Sequence, residues 1–242
     1  WAAQVASARV HLRPSTQARD ESVMSNQVLP HFGDRRLASV TTAEVESWVS
    51  ELLTTGYAAN TVRKAYQLLA GLFSSAVRSG LIARTPCAGV ALPKPPGHEM
   101  RFLTPAEVEE LANAIDPRFR LLVLTSALTG LRFGEAAETL SEVRGEVRFG
   151  PPKTAAARRT VALARSLVDD LAALVAGRQP NDLVFVAPEG GPLRRTNFRQ
   201  RFWLPAVQAS IGDPCRFHDL RHTHVALLIR QGEHPRVIAS RL

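Results

Sequence analysis

Residues 92–101 read LPKPPGHEMR. Three prolines and a glycine in that run leave no room for a helix or a central strand. Each proline ring fixes φ and removes an N–H that either ladder needs. The stretch is therefore an extended connector. It divides the chain into residues 1–92 and 102–242, with 93–101 as the linker between them.

Upstream of the connector every periodic segment is helical. Arg13-Pro14-Ser15-Thr16 is a helix start, and that helix is expected to end before Pro30, where the N–H is missing. Thr41 and Glu44 form a capping box that opens a helix with Val45, Trp48, Val49 and Leu52 on one side. Gly56 ends it. Asn60-Thr61 opens a longer helix carrying Val62, Tyr66, Leu69, Phe73 and Val77, with Gly80 just past its end. Downstream, Thr104-Pro105-Ala106-Glu107 is a second capping box, and a helix through Leu121, Leu122, Leu124 and Leu128 stops at Gly130. The period then changes. Val147 and Phe149, then Val161 and Leu163, alternate about Gly150-Pro151-Pro152 and predict a β-hairpin with Lys153 near its tip. A helix over 167–175, a short buried strand over 183–186 and closing helices after Asp213-Pro214 complete the chain. The fold class is mainly α with a small antiparallel sheet: a helical N-terminal domain, then a mixed α/β domain.

Composition narrows the function. The 242 residues carry 30 Lys+Arg against 22 Asp+Glu, a net charge of +8. That excess suits a polyanionic partner, through phosphate neutralisation and counterion release. Aromatics make up only 6%, which disfavours an RNA-type stacking platform. No apolar run is long enough to span a membrane, so no membrane partner is expected. The start, Trp1-Ala2-Ala3-Gln4, lacks a signal-peptide pattern and an initiating Met, so the chain is expected to be a fragment. Cys87 and Cys215 lie far apart with no CxxC spacing and read as thiols of a reducing compartment.

Four short stretches concentrate basic residues: TGLRFGE with Arg132, PPKTAAARRT with Lys153, RFHDLRHTH with His218 and Arg221, and PLRRTNFRQRFW. Taken singly each has an ordinary reading. Arg132 after a helix-ending glycine is a surface charge, Lys153 a solvated turn lysine, and His218 with Arg221 a cap and a salt bridge. His222, His224 and His234 read as structural, and Glu135 as an anchor for the Arg132 turn or a basic neighbour. His218 and His222, four apart on a helix, share a face that two metal ligands would need. Arg221 projects between them and no third ligand is near, so no metal is expected. Together the four stretches mean something else. Two arginines, a lysine and a histidine converging on one point repel unless an anion sits among them. A phosphodiester is the natural anion, because Arg offers planar paired donors and Lys or His can move a proton.

In order and spacing these stretches resemble the tyrosine recombinase (phage integrase) family, over nearly the whole chain. GLRFGE resembles its first-arginine box and HDLRHT its His-x-x-Arg box. Residues 11–34 through GLIARTPCAGV resemble its helical core-binding domain. The resemblance implies that Arg132 and Arg221 clamp the scissile phosphate, that Lys153 is the general acid toward the 5′-oxygen, and that His218 assists proton transfer. It implies catalysis without a metal or other cofactor, and a tyrosine nucleophile that forms a 3′-phosphotyrosyl bond. The expected partners are duplex DNA with specific sites, further copies of the chain up to a tetramer, and a host DNA-bending factor, in a bacterial cytoplasm at the nucleoid. Phosphate contacts are expected from Arg63, Lys64, Arg158, Arg194, Arg195 and Arg199.

Two departures stand out. The only tyrosines, Tyr57 and Tyr66, fall in the helical part and match no nucleophile position, so the nucleophile is expected beyond Leu242. An arm-binding domain before Trp1 is left open. Residues AETLSEVRGEVRF are also short for the strands the family places there: either the protein is trimmed at this point or residues are missing, with a break or abrupt connection expected between Leu140 and Val147. Two rivals remain: a type IB topoisomerase-like enzyme, and a non-catalytic architectural DNA-binding protein.

Overall fold

The computed structural model describes residues 12–97, 100–137, 140–143, 146–149, 161, 163–179 and 182–241. The chain splits into two compact units, one of Trp1–His98 with Glu142–Glu146 and the other of Glu99–Ser141 with Val147–Leu242.

The first unit is helical. Helix α1 (Pro14–Val23) does not end before Pro30: it runs through a π-helical stretch, Met24–Val28, into α2 (Leu29–Phe32). The wider turn explains how the chain passes the proline. Leu29 N–H bonds back to the Met24 carbonyl, five residues away, so the ladder is already out of the i−4 register that Pro30 disrupts. Trp48 fastens the stretch from outside, its indole N–H donating to the Gln27 carbonyl at 2.8 Å. Helix α3 (Thr42–Thr54) opens on the expected capping box. Thr41 Oγ1 accepts from the Glu44 N–H, and Glu44 Oε2 accepts from the Thr41 N–H at 2.8 Å. Helix α4 (Ala59–Arg78) starts one residue before the expected Asn60, after Ala58. Its buried face is Val62, Ala65, Leu68, Leu69, Leu72, Phe73 and Ala76, and all of these but Ala76 pack with Met24, Val28, Phe32, Val45, Trp48 and Val49 into one core. Gly56 (φ 92°) and Gly80 (φ 69°) take the left-handed conformation that ends each helix.

The second unit opens with α5 (Pro105–Ala114), capped by Thr104 and Glu107 as expected, and α6 (Pro117–Thr129), which ends on Gly130 at φ 67°. A single turn, α7 (Phe133–Ala136), follows. Strands β1 (Leu140–Val143) and β2 (Glu146–Phe149) pair in a two-stranded sheet. The expected gap between Leu140 and Val147 falls partly on residues 144–145, outside the described residues. The hairpin tip with Lys153, and Arg158, also lie outside them. Val161 and Leu163, expected on the hairpin's second arm, are in no strand. Then come α8 (Arg165–Val175), α9 (Arg195–Phe198), a second π-helical stretch (Arg199–Trp203), α10 (Leu204–Ala209), α11 (Asp219–Arg230) and α12 (Pro235–Arg241). This π stretch also runs straight into Leu-Pro, with Leu204 N–H bonded to the Arg199 carbonyl.

The strand expected over 183–186 is a loop, with only Val186 bridging to Pro192. Its carbonyls find a side chain in place of a neighbouring strand. Arg178 Nη1 donates to the carbonyls of Leu183 (2.5 Å) and Val184 (2.9 Å), while Phe185 is buried. Pro188 and Gly190-Gly191-Pro192 turn the chain straight back. Among the described residues the molecule is thus mainly helical, with one pair of short strands.

Candidate active site

The site is built where the start of α7 meets the start of α11. Two phenylalanines beside the candidate groups hold those ends together. Phe133 follows Arg132 and Phe217 precedes His218, and their rings meet edge to face at 5.2 Å and 88°. Phe198 packs against both, at 5.1 Å and 5.8 Å, and meets Phe119 edge to face at 5.2 Å. Trp203 closes the cluster on Phe217 and ties its indole N–H to the Cys215 carbonyl at 2.8 Å. Edge-to-face pairs fix ring orientation as well as burying area, so this cluster sets where Arg132 and His218 emerge.

Glu135 links the two arginines. Its Oε2 accepts the Arg132 N–H at 2.8 Å, its Oε1 pairs with Arg132 Nη1 at 2.7 Å, and its Oε2 lies 3.8 Å from Arg221 Nη1. Arg221 also donates from Nη1 to the Gly130 carbonyl at 2.7 Å. Gly130 therefore ends α6 in a left-handed turn and offers its carbonyl to the second arginine. The two guanidiniums differ in setting: the Arg132 side chain is 50% exposed, that of Arg221 9%.

His218 is the residue before α11, and its ring meets His222 at 4.9 Å, nearly perpendicular. Its surface is open, yet desolvation by the surrounding protein lowers its pKa, followed by repulsion from His222, Arg221, Arg216 and Arg132. The imidazole is thus held neutral, able to accept a proton as well as give one. Asp219 is fully buried and pulls the preceding loop tight. It accepts the Arg216 N–H at 2.8 Å and pairs with Arg216 Nη2 at 2.7 Å. Burial alone raises the Asp219 pKa, but the Arg216 hydrogen bonds outweigh it and hold the carboxyl below its usual range. One turn on, Thr223 Oγ1 accepts the Leu103 N–H at 2.9 Å and donates to the Asp219 carbonyl at 2.9 Å.

The fold therefore brings Arg132, His218 and Arg221 together. Lys153 and Arg158 lie outside the described residues. Arg194, Arg195 and Arg199 sit exposed at α9 and the second π stretch, and Lys64 is exposed on α4. Arg63 is half-buried and reaches the Pro93 carbonyl at 3.4 Å. His224 is buried, and His234 Nδ1 accepts the Arg236 N–H at the start of α12. The sequence reading missed the Asp219–Arg216 pair and the phenylalanine clamp. Both were signalled by residues inside the motifs: an acid three after an arginine, and a phenylalanine beside Arg132 and beside His218.

Comparison with known families matches residues 101–242 to the phage integrase family and residues 5–53 to the phage integrase N-terminal SAM-like domain. The chain belongs to the phage integrase family. Family relatives include the ICEBs1 integrase of Bacillus subtilis, 24% identical over 98% of this chain and 73% of the relative. The integrase of Mycobacterium phage FRAT1 is 28% identical over 94% of this chain and 73% of its own length. The tyrosine recombinase XerD of Vibrio cholerae is 28% identical over 81% and 69%. Among solved structures, a Tn1549 transposon integrase in complex with a circular intermediate DNA superposes with a TM-score of 0.84 at 16% identity, covering 98% of this chain and 89% of that one. A lambda integrase dimer bound to a COC' core site gives 0.74 at 20% identity, over 98% and 89%. This integrase accordingly has the tyrosine recombinase fold and is a site-specific recombinase. The topoisomerase and architectural rivals are not favoured.

Proposed function

We propose that this integrase cuts and rejoins duplex DNA at specific sites through a 3′-phosphotyrosyl intermediate, integrating or excising a phage or mobile element. The observation that carries this is the pair Arg132 and Arg221 on one carboxylate, with exposed His218, its pKa lowered, beside them. The guanidiniums grip the non-bridging oxygens of the scissile phosphate and stabilise charge as five-coordinate phosphorus forms. A tyrosine oxygen bonds to phosphorus, the bond to the 5′-oxygen breaks, and the leaving oxygen takes a proton from Lys153. His218 shuttles the proton released by the nucleophile. Attack by a partner strand's 5′-hydroxyl reverses these steps and frees the tyrosine. Neither tyrosine of this chain suits the role. Tyr66 already donates its hydroxyl to the Cys87 carbonyl, and in this reading the nucleophile is a tyrosine beyond Leu242.

In this reading residues 1–92 are a core-binding domain, 93–101 a linker and 102–242 the catalytic domain. The β1–β2 pair is the small antiparallel sheet of the catalytic domain. Lys64, Arg158, Arg194, Arg195 and Arg199 contact phosphates, with Arg63 shared between Pro93 and DNA. The assembly is a tetramer on two paired sites, aided by a host DNA-bending factor, in the bacterial cytoplasm at the nucleoid.

A nicked suicide duplex tests the chemistry. Protein that includes the nucleophile segment is expected to form an SDS-resistant DNA adduct that a Tyr→Phe change there abolishes, whereas residues 1–242 alone bind DNA without forming one. Arg132→Ala and Arg221→Ala are expected to slow adduct formation by at least about 10²–10³, with much smaller effects on binding. Lys153→Ala is expected to recover on a bridging phosphorothiolate, whose leaving group needs no proton. An adduct formed by residues 1–242 would overturn the placement of the active site.

A further inference from the structure

Helix α11 carries a histidine that its own packing does not call for. His222 is half-buried one turn after His218, on the same face of the helix. No hydrogen bond to its ring is found among the described residues. A phenylalanine would fill the same space without leaving ring nitrogens unbonded. Among the described residues no cluster of three or more candidate ligands surrounds it that could hold a metal ion. What His222 does touch is His218, ring to ring, with centroids 4.9 Å apart and planes at 83°. Such an edge-to-face contact fixes the orientation of the more exposed partner, and that partner is the site residue.

The contact acts on charge as well as on position. Among the charges that oppose a proton on His218, His222 comes first, ahead of Arg221, Arg216 and Arg132. Arg221 stands on α11 itself, Arg216 on the preceding loop and Arg132 at the start of α7. The two carboxylates among these cations are already engaged, Asp219 of α11 by Arg216 and Glu135 of α7 by Arg132 and Arg221. The guanidiniums keep their charge at every working pH. An imidazole alone in this group gains and loses its charge near neutrality.

We propose that His222 is a positioning residue for the reaction: its ring braces that of His218, and the two imidazoles hold one proton between them. A proton on either ring opposes a proton on the other, so the pair titrates as a unit. A phosphate arriving between Arg132 and Arg221 offsets the neighbouring cations and lets His218 take the nucleophile's proton. The proposal rests on the recombinase reading and adds to it the residue that governs when His218 is charged.

Two substitutions separate the brace from the charge. The assay is adduct formation on the nicked suicide duplex by protein that includes the nucleophile segment, in single turnover at saturating DNA across a pH series. His222→Ala removes both effects and should slow adduct formation by about tenfold, with affinity for the duplex unchanged. His222→Phe keeps an edge-to-face ring and should recover most of that rate at the alkaline end of the series. The acid limb of its pH profile should move to higher pH, because the opposing charge is gone and His218 holds its proton more tightly. Proton NMR of residues 1–242, which needs no cleavage, should show the His218 midpoint rising in both variants. A His218 midpoint unchanged in both would overturn the inference, as would a phenylalanine variant as slow as the alanine one. A loss of duplex affinity matching the loss of rate would make His222 a phosphate contact of its own and equally overturn it. Wild-type protein that formed no adduct at any pH would sink the recombinase reading itself, whereas the failures above leave wild-type cleavage intact.

Discussion

Arg132 and Arg221 share Glu135 from unequal positions, and the difference separates two effects of mutation. Arg221 is buried against the Gly130 carbonyl, so Arg221→Ala strands a buried acceptor and weakens the hold on the partly buried Glu135 carboxylate. Removing one partner from such a site costs about 3 kcal/mol. Arg132 is half exposed, and Arg132→Ala is expected to change stability by less than about 1 kcal/mol. Chemical denaturation of the two variants should show that gap even though both lose cleavage; equal stability losses would mean that Arg221 is not held as described. His218 gives a second test. Its pKa is depressed, so the folded protein holds that proton less tightly than the unfolded chain. Stability from this group is therefore full above the unfolded value near 6.5 and is lost as pH falls toward the depressed folded value. Proton NMR should place the His218 midpoint below 6.5 in the free protein, and bound phosphate should raise it by offsetting the neighbouring cations. A free-protein midpoint at or above 6.5 would refute the neutral histidine. Asp219 runs the same way in a lower pH window: its pKa is depressed too, so its contribution is full above the usual carboxylate range and is lost on further acidification.

Secondary elements were legible where one physical signal acted alone. Both capping boxes form, because Thr41 with Glu44 and Thr104 with Glu107 satisfy end groups within four residues and need no tertiary help. Pro30 misled the reading because its penalty was counted against an α ladder, whereas a π turn before the proline lets the helix continue to Phe32. Residues 183–186 misled it because an apolar run says nothing of its hydrogen-bond partner, and that partner is Arg178, near in sequence but not a strand. In the site, His218 and Arg221 were legible from their three-residue spacing. Their convergence with Arg132 was legible only through the family resemblance, since in the fold it depends on Phe133, Phe198 and Phe217 meeting across the chain. The tie between Thr223 and Leu103 was equally hidden, because it joins residues 120 positions apart. It yields an element-scale prediction. Thr223→Val keeps the shape but leaves the buried Leu103 N–H without its acceptor, at about 1–3 kcal/mol. Thr223→Ser restores the hydroxyl and most of that loss. Thermal unfolding of the two variants decides it: a valine variant as stable as the serine one would show that the hydrogen bond contributes little.

At the scale of the molecule, the net charge of +8 matters through where the cations stand. Many of the arginines are already paired: Arg35 with Glu44, Arg101 with Glu107 and Asp213, Arg120 with Glu109, Arg216 with Asp219. Such cations hold the fold and have little charge left for a polyanion. Lys64, Arg195 and Arg199 stand on exposed helical surface, on different units of the chain. Binding that engages both sets neutralises several phosphates together, and each one releases condensed counterions. Affinity should then fall steeply with salt, with a log–log slope of about −5 or steeper. Removing one phosphate contact, as in Lys64→Ala or Arg195→Ala, should lower affinity for any sequence and make the slope shallower by about 1. Arg120→Ala should leave the slope unchanged, since its cation is committed to Glu109 and Asn113. Anisotropy titrations across a salt series measure all three. A flat wild-type slope would rule out a DNA clasp, and an equal change for Arg120→Ala would show that net charge alone, rather than its placement, drives binding.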